Sequence, residues 1–194
     1  MFDENLNIAH IDSSSHIYGP GERYVIWVQG CTLACPGCWN VDMWPHKENK
    51  LIHREQVLQD ILNTPDISGV TFLGGEPLQQ VENVLWILKN IRQAKLSTML
   101  FSGYERSEID SHKDYAEVLK FLDILVSGRY VSDKRDTGLL WRGSSNQEIV
   151  LVSDRHKDFD LAERNQVEIE IGESGQETIL GFPDRELVLS IVNP

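Results

Sequence analysis

Residues 23–40 read RYVIWVQGCTLACPGCWN: a buried strand over Arg23 to Gln29, a glycine, then Cys31, Cys35 and Cys38 within eight residues. These are the three cysteines of a 194-residue chain. Their spacing is C-x3-C-x2-C. A cubane iron–sulfur cluster has four irons, and in electron carriers four thiolates hold it. Here one iron would lack a protein ligand, and an open position on a metal is where chemistry takes place. The cysteine arithmetic therefore points to a reactive cluster rather than an electron wire. Two plainer readings stay open beside it. Three cysteines with His16 or His46 make a Cys3His zinc set, although zinc ligands usually come as two separated pairs. Free cysteines also pack as small buried hydrophobes.

Working outward, the same grammar repeats. Leu51 to Thr64 has a helical face of Val57, Leu58, Ile61 and Leu62, stopped by Pro65. Gly69 to Leu73 is a β-branched strand, broken by Gly74-Gly75-Glu76-Pro77. Gln79 to Ala94 carries the stripe Val81, Val84, Leu85, Leu88 and Ile91 of an amphipathic helix. Ser97 to Phe101 is a strand ending at Ser102-Gly103-Tyr104, and Asp114 to Phe121 a short helix. Asp123 to Val126 is a strand ending at Ser127-Gly128-Arg129, and Glu148 to Val152 is the next. Apolar strands alternating with amphipathic helices predict a parallel α/β sheet with right-handed crossovers. The polar or glycine-rich runs all follow strands, and ligands of such sheets bind at the C-terminal strand ends. Beyond residue 152 the pattern changes. Gln166 to Ile171 alternates polar and apolar, and after Gly172-Glu173-Ser174-Gly175 comes Glu177 to Leu180, which reads as a β-hairpin with one wet face. With no repeat or linker, residues 1–194 are expected as one domain, a core over about 8–152 and an extension over about 153–194.

Composition sets bounds. Hydrophobic content of 41% and charged content of 25% are those of an ordinary globular protein. No apolar run has the length of a membrane span, and the acidic start Met1-Phe2-Asp3-Glu4 lacks the pattern of a signal peptide. An odd cysteine count fits a reducing compartment, so a cytoplasmic location is expected. The net charge of −12 disfavours general nucleic-acid or anionic-membrane binding.

The C-x3-C-x2-C loop after the first strand, with GGEP after the second, resembles the radical S-adenosylmethionine superfamily. Cys35-Pro36-Gly37-Cys38-Trp39-Asn40 and Ser102-Gly103-Tyr104 are similar to runs of the anaerobic ribonucleotide reductase activating proteins. So are the segment from Leu122 to Tyr130 and the run Trp141-Arg142-Gly143-Ser144-Ser145-Asn146-Gln147. The resemblance covers about residues 8 to 152. It departs at Ser127, where the family's strand usually ends Asp-Gly.

The resemblance implies a partial parallel (β/α) barrel of the radical S-adenosylmethionine type, with the hairpin as an appendix. It implies a [4Fe–4S] cluster on Cys31, Cys35 and Cys38, with S-adenosylmethionine chelating the fourth iron. One electron from a flavodoxin or ferredoxin would cleave the sulfonium, giving methionine and a 5′-deoxyadenosyl radical. That radical would take a hydrogen atom from a backbone glycine of a partner glycyl-radical enzyme. Gly74 and Gly75 would let the backbone approach the cofactor, and Glu76 would face the methionine ammonium; Glu76 also suits a helix start. Ser102 would bond the cofactor or cap its turn. Arg129 or Arg142 would pair the carboxylate. Asn146 would hold the ribose or order its loop, and Trp39 and Tyr104 would wall the site or belong to the core. The absence of further cysteines argues against an auxiliary cluster. A stand-alone radical enzyme on a small molecule, nucleotide or peptide, and a zinc-stabilised binding module, are the competing functions.

Overall fold

The computed structural model describes residues 4–192 apart from 163, 173 and 176. Its centre is the strand that opened the sequence, β2 (Arg23–Val28), buried along its whole length. An eleven-residue strand, β1 (Asn5–Ser15), lies antiparallel to it, and β3 (Lys50–His53) lies antiparallel to β1. On the other side of β2 come β4 (Gly69–Gly74), β5 (Ser97–Ser102) and β6 (Ile124–Ser127), all parallel. Last is β7 (Glu148–Leu151), antiparallel to β6. The order is β3-β1-β2-β4-β5-β6-β7. The fold is thus mixed α/β. The expected parallel core is four strands long, and antiparallel strands flank it on both sides.

The helices are α1 (Arg54–Asn63), α2 (Val81–Gln93), the short α3 (Arg106–Ser111) and α4 (Lys113–Leu119). They supply the crossovers. Tyr24, Ile26 and Val28 of β2 face them, with Phe72 of β4 and Leu100 of β5 in the same cluster. Ile61 of α1 and Val84, Ile87, Leu88 and Ile91 of α2 close it, all fully buried. Leu62, expected on the inner face of α1, is 44% exposed, because that face is taken by Val57, Leu58 and Ile61.

The opposite sheet face is dry too. Val25 and Trp27 alternate with the helix-facing residues of β2, as the pleat requires. They pack with Leu73, Tyr18 and Leu180. Met99, Ile124 and Val126 pack under Leu140 and Trp141 of the segment before β7. Two stretches of the chain therefore cover this face: the 130–147 loop, and a separate hairpin of β8 (Val167–Ile171) and β9 (Glu177–Gly181). The expected hairpin is present, although Glu173 of its turn lies outside the described residues. Its alternation is inverted. Glu168 accepts bonds from Ser15 Oγ at 2.6 Å and from the His16 amide at 2.8 Å, while Ile169 and Ile171 stand 45% and 71% exposed. A last helix, α5 (Arg185–Val192), follows. Among the described residues no helix is long and apolar enough to cross a membrane.

Candidate metal centre

β2 ends in a loop that turns back beneath itself. The Gly30 amide donates to the Met43 carbonyl at 2.8 Å and the Cys31 amide to that of Trp44 at 3.0 Å. Within the loop the Cys38 amide donates to the Cys35 carbonyl at 3.0 Å, and Ala34 is left-handed at φ 46°. Held this way, Cys31, Cys35 and Cys38 are free thiols, each partly exposed. All three line one pocket at the C-terminal ends of the parallel strands.

The loops after β4, β5 and β6 line the same pocket, through Gly74, Gly75 and Glu76, then Ser102 and Gly103, then Gly128 and Tyr130. Asn40, Gln147 and Phe182 line it as well. The two glycines of GGEP have a cause in the chain itself. A Cβ on Gly74, at φ +103°, would lie 2.7 Å from Trp27 Cα, and one on Gly75 would overlap the Gly30 carbonyl. Close approach here is between the β2 and β4 loops, sealed by the Gly75 amide on the Val28 carbonyl (2.7 Å) and the Glu76 amide on the Gly30 carbonyl (2.9 Å).

Glu76 is 1% exposed. Its carboxylate accepts from the Leu78 amide (3.0 Å), Ser102 Oγ (3.0 Å) and the Gly103 amide (2.8 Å). One side chain thus starts the 3-10 turn at Pro77–Gln80 and ties the β4 loop to the β5 loop. Burial pushes its pKa up to about 7, against the pull of these three bonds and of the Arg129 charge. Ser102 also accepts from the Tyr104 amide at 3.1 Å, so it caps its turn and braces Glu76 together. Gln79 adds a second tie. Its side chain bonds the Thr32 amide and hydroxyl, at 3.1 and 2.7 Å, and the Tyr104 hydroxyl at 3.1 Å. Burial likewise pushes the Cys31 and Cys35 thiols up.

Other expected residues stand elsewhere. Arg129 does not line the pocket: it forks onto both Glu108 oxygens, one at 2.9 Å, and lies 5.8 Å from the Tyr104 ring centre. Asn146 is also outside the lining. Its Nδ2 donates to the Arg129 carbonyl at 2.8 Å, and its buried Oδ1 has no partner. Arg142 turns to the Leu140 and Gln147 carbonyls. Trp39 is 53% exposed, under Arg135 at 5.3 Å, and lines the two neighbouring chambers. Ser127, where the resembled family has Asp, is buried at the end of β6. Asn40, Gln147 and Tyr130 stood in the quoted runs without an assigned part, and Phe182 had no signal at all.

A single zinc ion and a polynuclear cluster ask different things of the same donors. A zinc ion needs its ligands at one point. Among the described residues no three His, Cys, Asp or Glu side chains meet that condition. His16 is exposed and tied to Glu168, and the His46 ring packs against Gly30 beside a different groove. A cluster takes each thiolate on a different iron, so three thiols spread around one pocket fit it.

The span that known proteins match includes this loop. The family described as "4Fe-4S single cluster domain" matches residues 17–150. The anaerobic ribonucleoside-triphosphate reductase-activating protein of Haemophilus influenzae is 32% identical over 150 residues, 73% of this chain and 96% of that one. The protein of that name from Escherichia coli K12 is 32% identical over 139 residues, 68% of this chain and 89% of its own. That from Enterobacteria phage T4 is 31% identical over 152 residues, 74% and 93% of the two chains. The solved structure of QueE from Escherichia coli aligns over 52% of either chain at 17% identity and a TM-score of 0.39, too distant to bear on the fold.

Proposed function

The chain belongs to the family of the anaerobic ribonucleoside-triphosphate reductase-activating proteins, with a 4Fe-4S single cluster domain, and from that premise we propose that it is a radical S-adenosylmethionine activase. Cys31, Cys35 and Cys38 would hold a [4Fe–4S] cluster, and S-adenosylmethionine would take the fourth iron. So loaded, the site supplies a one-electron cleavage of the sulfonium to methionine and a 5′-deoxyadenosyl radical, which takes a hydrogen atom from a partner's backbone glycine and leaves as 5′-deoxyadenosine. The partner class is a glycyl-radical enzyme such as anaerobic ribonucleoside-triphosphate reductase, and the electron donor a flavodoxin or ferredoxin.

One observation carries this reading: three thiols on one loop, with no fourth cysteine in the sequence, at the meeting point of four strand-end loops. The chain's own residues hold the frame. Glu76 and Gln79 fix the β4 and β5 loops against the cysteine loop, so the chain's own hydrogen bonds hold the pocket in shape. Gly74, Gly75 and the Glu76 carboxylate are proposed as the face toward the methionine ammonium. The carboxylate has three bonds and room for a fourth. Ser102 acts there through Glu76. Arg129, Asn146 and Trp39 are proposed only as supports of the pocket's rim, given where they stand.

The test is anaerobic reconstitution with iron and sulfide, addition of a strong reductant and S-adenosylmethionine, and assay of 5′-deoxyadenosine. Formation by the unaltered chain and none by Cys35→Ala supports the activase. A loaded cluster that makes none, alone or with a glycyl-radical enzyme present, overturns it. One bound zinc and no iron would establish the binding module instead.

A further inference from the structure

The family match ends at residue 150, yet Phe182 lines the cysteine pocket. It follows β9, and the extension that carries it is fastened to the core at several points. The Gly181 amide donates to the Tyr18 hydroxyl at 2.7 Å and Arg135 to the Pro183 carbonyl at 2.7 Å, while within the extension Asn165 Nδ2 donates to the Phe182 carbonyl at 2.9 Å. Leu180 is buried against the inner sheet face. The Phe182 ring packs on Gly143 beside Tyr130: a Cβ on Gly143 would meet it at 3.3 Å.

Phe182 and Asn40 line three chambers at once. One holds the three thiols; the second lies by Trp39 and Arg135 and shares Cys38 with the first; the third lies behind the hairpin, against His10 and Trp27, and has no thiol in its lining. Asn40 belongs to the cysteine loop itself. Phe182 is therefore the side chain that the extension places between the thiols and the space along the inner sheet face. An aromatic ring suits this part, being wide, apolar and limited to two torsions.

We propose that Phe182 is a specificity-determining partition that closes the hairpin flank of the cysteine pocket, so that a substrate enters end-on past the strand-end loops, as a protruding peptide loop does, and not sideways along the sheet. The proposal rests on the pocket being the reaction site, as argued above. The H. influenzae relative is matched over 96% of its length, and 73% of this chain takes part in that match.

The test uses the full chain with its thiols reduced and no cluster, S-adenosylmethionine or partner. Alkylation of Cys31, Cys35 and Cys38 by N-ethylmaleimide and by fluorescein maleimide is followed by peptide mass spectrometry. Phe182→Ala is expected to speed fluorescein labelling of Cys38 several-fold, with little change for the small reagent or at Cys31. Phe182→Trp is expected to slow the bulky reagent below the unaltered chain, which keeps the test decisive should the alanine variant fold poorly. Unchanged Cys38 rates in both variants, or an equal rise at all three thiols, overturn the partition. A flat result leaves the activase reading standing, and failure to form 5′-deoxyadenosine leaves the wall standing, so the two are separable.

Discussion

At the scale of single residues, the site is held by contacts within the chain. Gly75 is the plainest case. Its missing Cβ makes room for the Gly30 carbonyl, and Gly75→Ala must push two loops apart. A cost of about 1–3 kcal/mol is expected in a urea melt, with reduced iron uptake on reconstitution. Cys35→Ala is expected to lower iron and sulfide content with little change in the melting temperature of the cluster-free chain, since the thiol is only partly buried. Much of this was legible. The cysteines, GGEP and SGY stood out because each departs from its neighbours in composition directly after an apolar strand, and all three runs line one pocket. Arg129 and Trp39 misled for a physical reason. A cation or an aromatic near a motif says nothing of its partner, and the partners, Glu108 and Arg135, come from other parts of the chain. Glu76 was legible as an important carboxylate, but its three bonds depend on loops brought together only by folding.

At the scale of elements, the parallel strands were readable because their burial on both faces makes them continuous apolar runs. β1 was not. NLNIAHIDSSS has one buried face, with Leu6 and Ile8, and otherwise polar residues that read as loop. α3 is six residues long and held by a capping box between Glu105 and Glu108, too short for a period to show. The far end of the sheet is organised by charge. Asp123, fully buried just before β6, accepts from Arg92, from Ser153 Oγ and from the Thr98 amide at 3.0 Å. Burial pushes its pKa up, but those bonds outweigh it and hold the carboxyl below its usual range. The sign follows from linkage. The contribution is complete above the unfolded-state pKa and is lost as pH falls through that value toward the lower folded one. Burial lowers the pKa of His156, whose Nε2 meets Ser97 Oγ at 2.7 Å, so acid weakens the fold there as well. Asp123→Asn is expected to cost about 1–3 kcal/mol near neutral pH and to flatten the acid limb of a stability–pH curve. An unchanged acid limb would remove Asp123 from this account. Labelling at Cys38 is expected to stay as it was, because Asp123 lies at the opposite ends of the strands.

At the scale of the whole molecule, the hairpin is attached to the sheet through one buried leucine and a set of hydrogen bonds. Leu180 is its buried side chain on the sheet, and Tyr18 and Glu168 are its polar ties. Leu180→Ala is expected to cost about 2 kcal/mol, at the low end for a buried leucine because the site lies near the surface. In hydrogen exchange the amides of β8 and β9 are expected to lose protection while those of β2, β4 and β5 keep theirs; loss throughout would mean that hairpin and sheet unfold together. The sequence could announce the hairpin by its alternation but not which side would be dry, since that depends on Ser15 and His16, some 150 residues away. Chain order gives this arrangement a further consequence. The four loops around the thiols are complete once Gln147 has been made, and the ring that closes their flank comes later. A nascent chain thus passes through a stage at which its thiols stand open toward the hairpin side.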